Sequence, residues 1–173
     1  MQVDSKKLQQ LYIAYFGRPA DPPGIQYWLL KASKGVKLRE IACHLSLQDE
    51  YKKSIMYGKP LDFKINQLYQ NLFGRKVDFA GLSYWLKSIK SGSHKISDLA
   101  CDLIDSLSDT SQSNNEQNII DKNTLDNKVK SAELFTEELE STINGVSLYQ
   151  PSSINPWVSG HALSVGIDFI NKV

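Results

Sequence analysis

Residues 11–28 read LYIAYFGRPADPPGIQYW, and residues 68–85 read LYQNLFGRKVDFAGLSYW. Nine of the 18 positions are identical at a constant offset of 57, where unrelated segments share about one. The identical pairs are Leu11/Leu68, Tyr12/Tyr69, Phe16/Phe73, Gly17/Gly74, Arg18/Arg75, Asp21/Asp78, Gly24/Gly81, Tyr27/Tyr84 and Trp28/Trp85. Ile41-Ala42-Cys43 returns as Leu99-Ala100-Cys101 after one inserted residue. The chain therefore contains a tandem repeat.

Each copy reads as three helices. Leu8, Leu11, Tyr12 and Tyr15, echoed by Ile65, Leu68, Tyr69 and Leu72, fall at i, i+3, i+4, i+7, one apolar helical face. Gly17 and Gly74 stand where a helix ends on a residue with positive φ. Asp21 and Asp78 are in N-cap position for the next helix, with Pro22 at its first turn in copy one. Ile25, Trp28, Leu29 and Leu82, Trp85, Leu86 give the second helix a buried stripe. Lys31, Lys34, Lys87 and Lys90 fall near its C-terminus, on the favourable side of the helix dipole. The third helix repeats Leu38, Ile41, Ala42, Leu45 as Ile96, Leu99, Ala100, Leu103. Gln48 to Tyr57 reads as a short helix broken by Gly58-Lys59-Pro60.

The expected architecture is all-α: two three-helix repeats and a helical C-terminal extension. Repeat one spans about 8–50 and repeat two about 65–107, within a unit of 1–107. Residues 108–118, SDTSQSNNEQN, read as a polar loop. Residues 119–173 read as an extension packing on the repeats, with Leu125, Val129, Ala132, Leu139 and Ile143 on one long helix. Thr124 is its expected N-cap and Gly145 its stop, and a further helix is expected from about Pro156 to Leu163.

The 173 residues are 41% hydrophobic and 23% charged, which is globular composition. No apolar run approaches the ~20 residues of a membrane span. The opening MQVDSKK has no apolar core of a Sec-type signal. Two cysteines exclude a disulfide scaffold and a multi-cysteine zinc site. The formal charge of +1 hides an asymmetry: residues 1–105 carry 16 basic against 10 acidic side chains, and residues 106–173 carry 4 against 9. A basic front and acidic back suit internal complementarity or an anionic partner.

The repeated GRxxDxxGxxYW core, preceded by LY and followed by a short basic stretch, resembles a bacterial helical-repeat family known as a domain of unknown function. That repeat occurs in surface-layer proteins, RTX-type adhesins and other secreted chains, and attached to glycosyltransferases. Its helical pattern is similar, more loosely, to phycobilisome linker domains. The resemblance covers about residues 8–107, and Asn127 to Thr136 resembles the helix that follows such repeats. It implies a non-enzymatic attachment or interaction module of a cell-surface protein, held on envelope polysaccharide such as lipopolysaccharide. A protein-docking linker or an accessory domain of a glycosyltransferase is the alternative. Localisation at the cell surface, or secretion without a Sec-type signal, follows from the same resemblance, with a cytoplasmic location as the alternative. Partners are then a polysaccharide, another protein or further copies of the chain, without nucleic acid or membrane insertion.

No motif assembles a catalytic, cofactor or metal site. The three histidines, His44, His94 and His161, are far apart in sequence, and no HExxH, GxSxG, glycine-rich phosphate loop or paired carboxylate occurs. Arg18 and Arg75 precede Asp21 and Asp78 by three residues, and an Arg–Asp latch is weighed above a ligand site. Gly24 and Gly81 suit close packing at the helix start, and anion binding there is the alternative. Trp28 and Trp85 read as core rather than sugar platforms, with Tyr27 and Tyr84 at the edge. Cys43 and Cys101 read as buried thiols. The binding candidates are Lys31, Lys34, Lys87 and Lys90, with Lys37, Arg39 and Lys95 near them, and the aromatics Tyr149 and Trp157. A basic binding face and plain solvation of helix ends are both open.

Overall fold

The computed structural model describes residues 3–108 and 115–141. Among them every regular element is helical: α1 (Ser5–Phe16), α2 (Pro22–Ser33), α3 (Leu38–Leu47), α4 (Asp49–Lys53), α5 (Leu61–Phe73), α6 (Phe79–Lys90), α7 (Leu99–Ser106) and α8 (Glu116–Ser141). The caps lie where the motif puts them. Gly17 and Gly74 close α1 and α5 at φ 65° and 69°, in the left-handed region. Asp21 and Asp78 open α2 and α6, accepting from the amides of Gly24 at 2.7 Å and Gly81 at 2.8 Å.

The periodicity of α1 predicts one buried face, yet all eight residues from Leu8 to Tyr15 are buried. The helix runs through the middle of the molecule, against α2, α3, α4, α5, α7 and α8. Gln9 and Gln10 are therefore enclosed with the apolar residues. Gln9 is satisfied across the fold: its Oε1 accepts from the Ala20 amide at 2.8 Å, and its Nε2 donates to the Thr136 hydroxyl at 2.8 Å. The Thr136 hydroxyl in turn donates to the Ala20 carbonyl at 2.6 Å. Tyr15 reaches the Ser97 carbonyl ahead of α7. A buried polar network this well paired costs little and fixes how α1, α2 and α8 meet.

Three boundaries differ from the sequence expectation. The helix α8 starts at Glu116, inside the stretch expected as a loop to 118, and Thr124 lies within it. Its cap is Asn115, whose Oδ1 accepts from the amides of Gln117 at 3.0 Å and Asn118 at 3.3 Å. The first two turns escape a search for apolar period because Ile119 and Ile120 stand six and five residues before Leu125, off its helical face, and they are accordingly 47% and 50% exposed. The helix α7 begins at Leu99, three residues after Ile96, because 96–98 form a turn. The helix α4 is shorter than 48–57, with Gln48 as its cap. Residues 109–114, Ile143, Gly145 and the helix expected over 156–163 lie outside the described residues.

Burial gives an alkaline limit to stability. Tyr12 and Tyr15 are held neutral, their phenols raised well above 10.0 chiefly by desolvation. Burial also pushes the Cys101 thiol from 9.0 up to about 12. The unfolded chain loses these protons first, so the contribution is whole below pH 9.0 and declines as pH rises through 9.0 and then 10.0. Each group costs about 1.4 kcal/mol per pH unit once its unfolded form ionises. Urea midpoints measured across pH 7–11 are expected to fall from about pH 9, and Cys101→Ala is expected to move that onset towards about pH 10. An onset unmoved by Cys101→Ala would contradict the assignment.

Candidate functional site

The two GRxxD motifs build two arginine clamps: the expected Arg–Asp pair is present in the first copy, but the two-pronged partner in both is another carboxylate. The Arg18 guanidinium, 1% exposed, donates from Nε to Glu50 Oε1 at 2.7 Å and from Nη2 to Glu50 Oε2 at 2.8 Å. Nη1 donates to the Pro19 carbonyl at 2.7 Å, and Asp21 stands at 3.5 Å. Arg75 grips Asp121 in the same two-pronged way, at 2.8 and 2.6 Å, and donates to the Lys76 carbonyl at 3.0 Å. Local spacing suggests Asp21 and Asp78: Asp21 caps α2 through one oxygen and faces Arg18 with the other, while Asp78 caps α6. The bidentate carboxylate comes instead from the helix that follows the third one: α4 for Arg18 and α8 for Arg75. Burial works against the Arg18 charge, and the hydrogen bonds and charge of Glu50 outweigh it, raising its pKa. At Asp21 burial dominates over the Arg18 charge and raises the carboxyl above 3.8.

The surroundings of the clamps match in detail. Arg18 lies over the Tyr12 ring at 5.1 Å and Arg75 over Tyr69 at 5.3 Å. Tyr12 meets Phe16 edge-on at 5.5 Å, and Tyr69 meets Phe73 at 5.4 Å. The Trp85 indole donates to the Tyr69 hydroxyl at 3.0 Å. These groups are consumed by protein contacts, so Gly17, Arg18, Asp21, Gly24, Trp28 and their counterparts Gly74, Arg75, Asp78, Gly81, Trp85 form a folding device. Trp28 and Trp85 are 5% and 8% exposed.

What the device presents outward is a tyrosine beside lysines. Tyr27 is 50% and Tyr84 55% exposed. Each stands edge-on to the buried tryptophan next to it, with ring centres 4.9 Å apart in both copies. Lys31, half-buried, holds its ammonium 5.3 Å from the Tyr27 ring centre. Lys34 caps α2, and Lys87 and Lys90 end α6, all three exposed. Lys37 and Lys95 are exposed as well. Arg39 leaves the candidate basic set, because it binds Asp102 at 2.6 Å and Asp105 at 3.1 Å across α3 and α7. Tyr149, Trp157 and His161 lie outside the described residues.

Several participants were not singled out by sequence. Glu50 and Asp121 carry no motif of their own. Lys128, partly enclosed in α8, donates to the Asn71 carbonyl at the end of α5 at 2.8 Å, and burial lowers its pKa. His44 lies 5.8 Å from Trp28, and His94 lies edge-on to Trp85 at 5.4 Å. Cys101 is buried as expected, but Cys43 is exposed, because it sits on the outer flank of α3 rather than its packed face. Among the described residues no group of three or more His, Cys, Asp or Glu is placed to hold a metal ion, and no helix is long and apolar enough to cross a membrane.

The fold and clamps thus define an all-helical protein with a duplicated arginine-clamped motif. Residues 57–110, the second copy with its flanks, match the family model of a domain of unknown function, DUF4214. Comparison with curated proteins and with solved structures gives no match.

Proposed function

We propose that the chain is a non-catalytic attachment module of a bacterial cell-surface protein, binding anionic envelope polysaccharide of the lipopolysaccharide type on the outer faces of α2 and α6. The observation that carries this reading is a repeated exposed tyrosine with lysines further along the same helix, though one residue out of step between copies: Tyr27 with Lys31 and Lys34, and Tyr84 with Lys87 and Lys90. An exposed aromatic ring offers a face for sugar C–H groups, and its edge contact with a buried tryptophan limits the freedom lost on binding. Ammonium groups one to two turns further along the helix meet phosphate or uronate groups on the same chain.

The test is retention on immobilised lipopolysaccharide. The variant Lys31→Gln/Lys34→Gln/Lys87→Gln/Lys90→Gln is expected to bind roughly tenfold more weakly at low salt. Tyr27→Ala/Tyr84→Ala is expected to weaken binding at every salt concentration. The wild-type chain is expected to lose affinity as the Debye length falls to about 8 Å at 0.15 M. Unchanged retention of both variants would overturn the proposal.

A further inference from the structure

The two copies differ in what covers them. In the first, α8 lies across the motif: Asp126 pairs with Lys6 at 2.8 Å, Thr136 binds Gln9 and Ala20, and Glu140 accepts from Gln26 at 3.0 Å. Adding 57 moves Lys6, Gln9, Ala20, Pro22 and Gln26 to Phe63, Asn66, Val77, Phe79 and Ser83. Ala20 is fully buried and Val77 half-buried, Pro22 is buried, and Phe79 is 88% exposed. Asp21 is 1% exposed while Asp78 is open. Where α8 sits on the first copy, the second has a groove of about 290 Å³ lined by Asp62, Phe63, Asn66, Gln67, Gln70 and Lys76.

We propose that this groove on α5, together with the exposed Phe79 at the start of α6 beyond its lining, docks an amphipathic helix from another polypeptide, as α8 docks on the first copy. The substitutions at equivalent positions state its chemistry. Phe63 and Phe79 replace Lys6 and Pro22, so the incoming helix carries an aliphatic or aromatic residue where α8 carries Asp126. Asn66 keeps a carboxamide where Gln9 has one, and its Nδ2 donates to the Asp62 carbonyl within its own helix at 3.0 Å. A small residue and a hydroxyl four positions later, as in Ala132 and Thr136, suit it. Lys76 lines the groove and Lys59 lies 5.9 Å from the Phe63 ring centre, so the flanks of the helix are acidic, as in α8 with seven acidic residues against three basic.

The test uses the full chain and a fluorescein-labelled peptide of residues 116–141 carrying Asp126→Leu, followed by anisotropy. Saturable binding is expected, weakened at least about tenfold by Phe79→Glu and several-fold by Asn66→Ala. Both positions are at the surface, and an acidic residue in the first turn favours α6, so unchanged melting curves confirm that these variants fold. Binding lost with Lys6→Glu but kept with Phe79→Glu would mean displacement of α8 from the first copy, and would overturn the proposal. So would the absence of saturable binding. A wild-type dimer made monomeric by Phe79→Glu in sedimentation would give the groove to a second copy and overturn the assignment to another polypeptide.

Discussion

Glu50→Ala is expected to destabilise the chain by about 3–5 kcal/mol, because it leaves the Arg18 guanidinium buried without its bidentate partner. Asp21, 3.5 Å away and already capping α2, is placed to offer only a single contact. The equivalent change in the second copy, Asp121→Ala, is expected to cost less, about 1–2 kcal/mol. The side chain of Arg75 is 27% exposed against 1% for Arg18, so water takes over part of its hydration. The pair of variants separates burial from geometry, since both clamps use the same two nitrogens. Urea midpoints at neutral pH measure it, and equal losses in the two copies would contradict the role given to burial. Replacing both partners, as in Arg18→Met/Glu50→Leu, is expected to recover much of the loss, because neither charge then remains to be desolvated.

Gly24→Ala and Gly81→Ala are expected to differ in sign. A Cβ on Gly24 would lie far inside contact distance of the Tyr12 hydroxyl and 2.9 Å from Asp21 Oδ2. Tyr12 is fixed beneath the Arg18 clamp and has no room to withdraw. The expected cost is about 2–3 kcal/mol, the range for overpacking a rigid site. A Cβ on Gly81 would meet Val77 Cγ2 at 3.0 Å and Asp78 Oδ1 at 3.4 Å. Val77 is half-exposed and can rotate, so the helix propensity gained, up to about 1 kcal/mol, leaves Gly81→Ala neutral or slightly stabilising. Thermal melts of the two variants test this, and similar losses in both would count against it.

What the sequence revealed was local. The capping aspartates and the αL glycines act within three residues of themselves, and the apolar stripes of α1, α3 and α5 follow helical period. All of these are written in short windows. The partners of Arg18 and Arg75 were not, because Glu50 and Asp121 are 32 and 46 residues away and are selected by how the later helices pack. The same holds for Gln9 and Lys128, polar residues enclosed by tertiary contacts that no periodicity encodes. The start of α8 was hidden for another reason: its first turns are helical through Asn115 and the chain that follows, while its apolar contacts begin only at Leu125. The tyrosines at the rim of α2 and α6 were legible, since a helix turn of 100° places them beside the buried tryptophans. The lost contribution of Arg39 was not, because its acidic partners belong to the other copy.

The place of α1 at the centre has a consequence for how the chain is made. Its Gln9 is completed by Thr136, 127 residues further on, so the first helix leaves the ribosome long before the last surface that encloses it exists. At about 5–20 residues per second, that interval is roughly 6–25 s. During it the packing side of Leu8 and Leu11 has only the helices synthesised so far to lie against. The duplicated sequence suggests two units maturing in turn, but the wiring makes one closure event, timed by the arrival of α8. Chaperone engagement in that window would fall on α1 rather than on the helix most recently made.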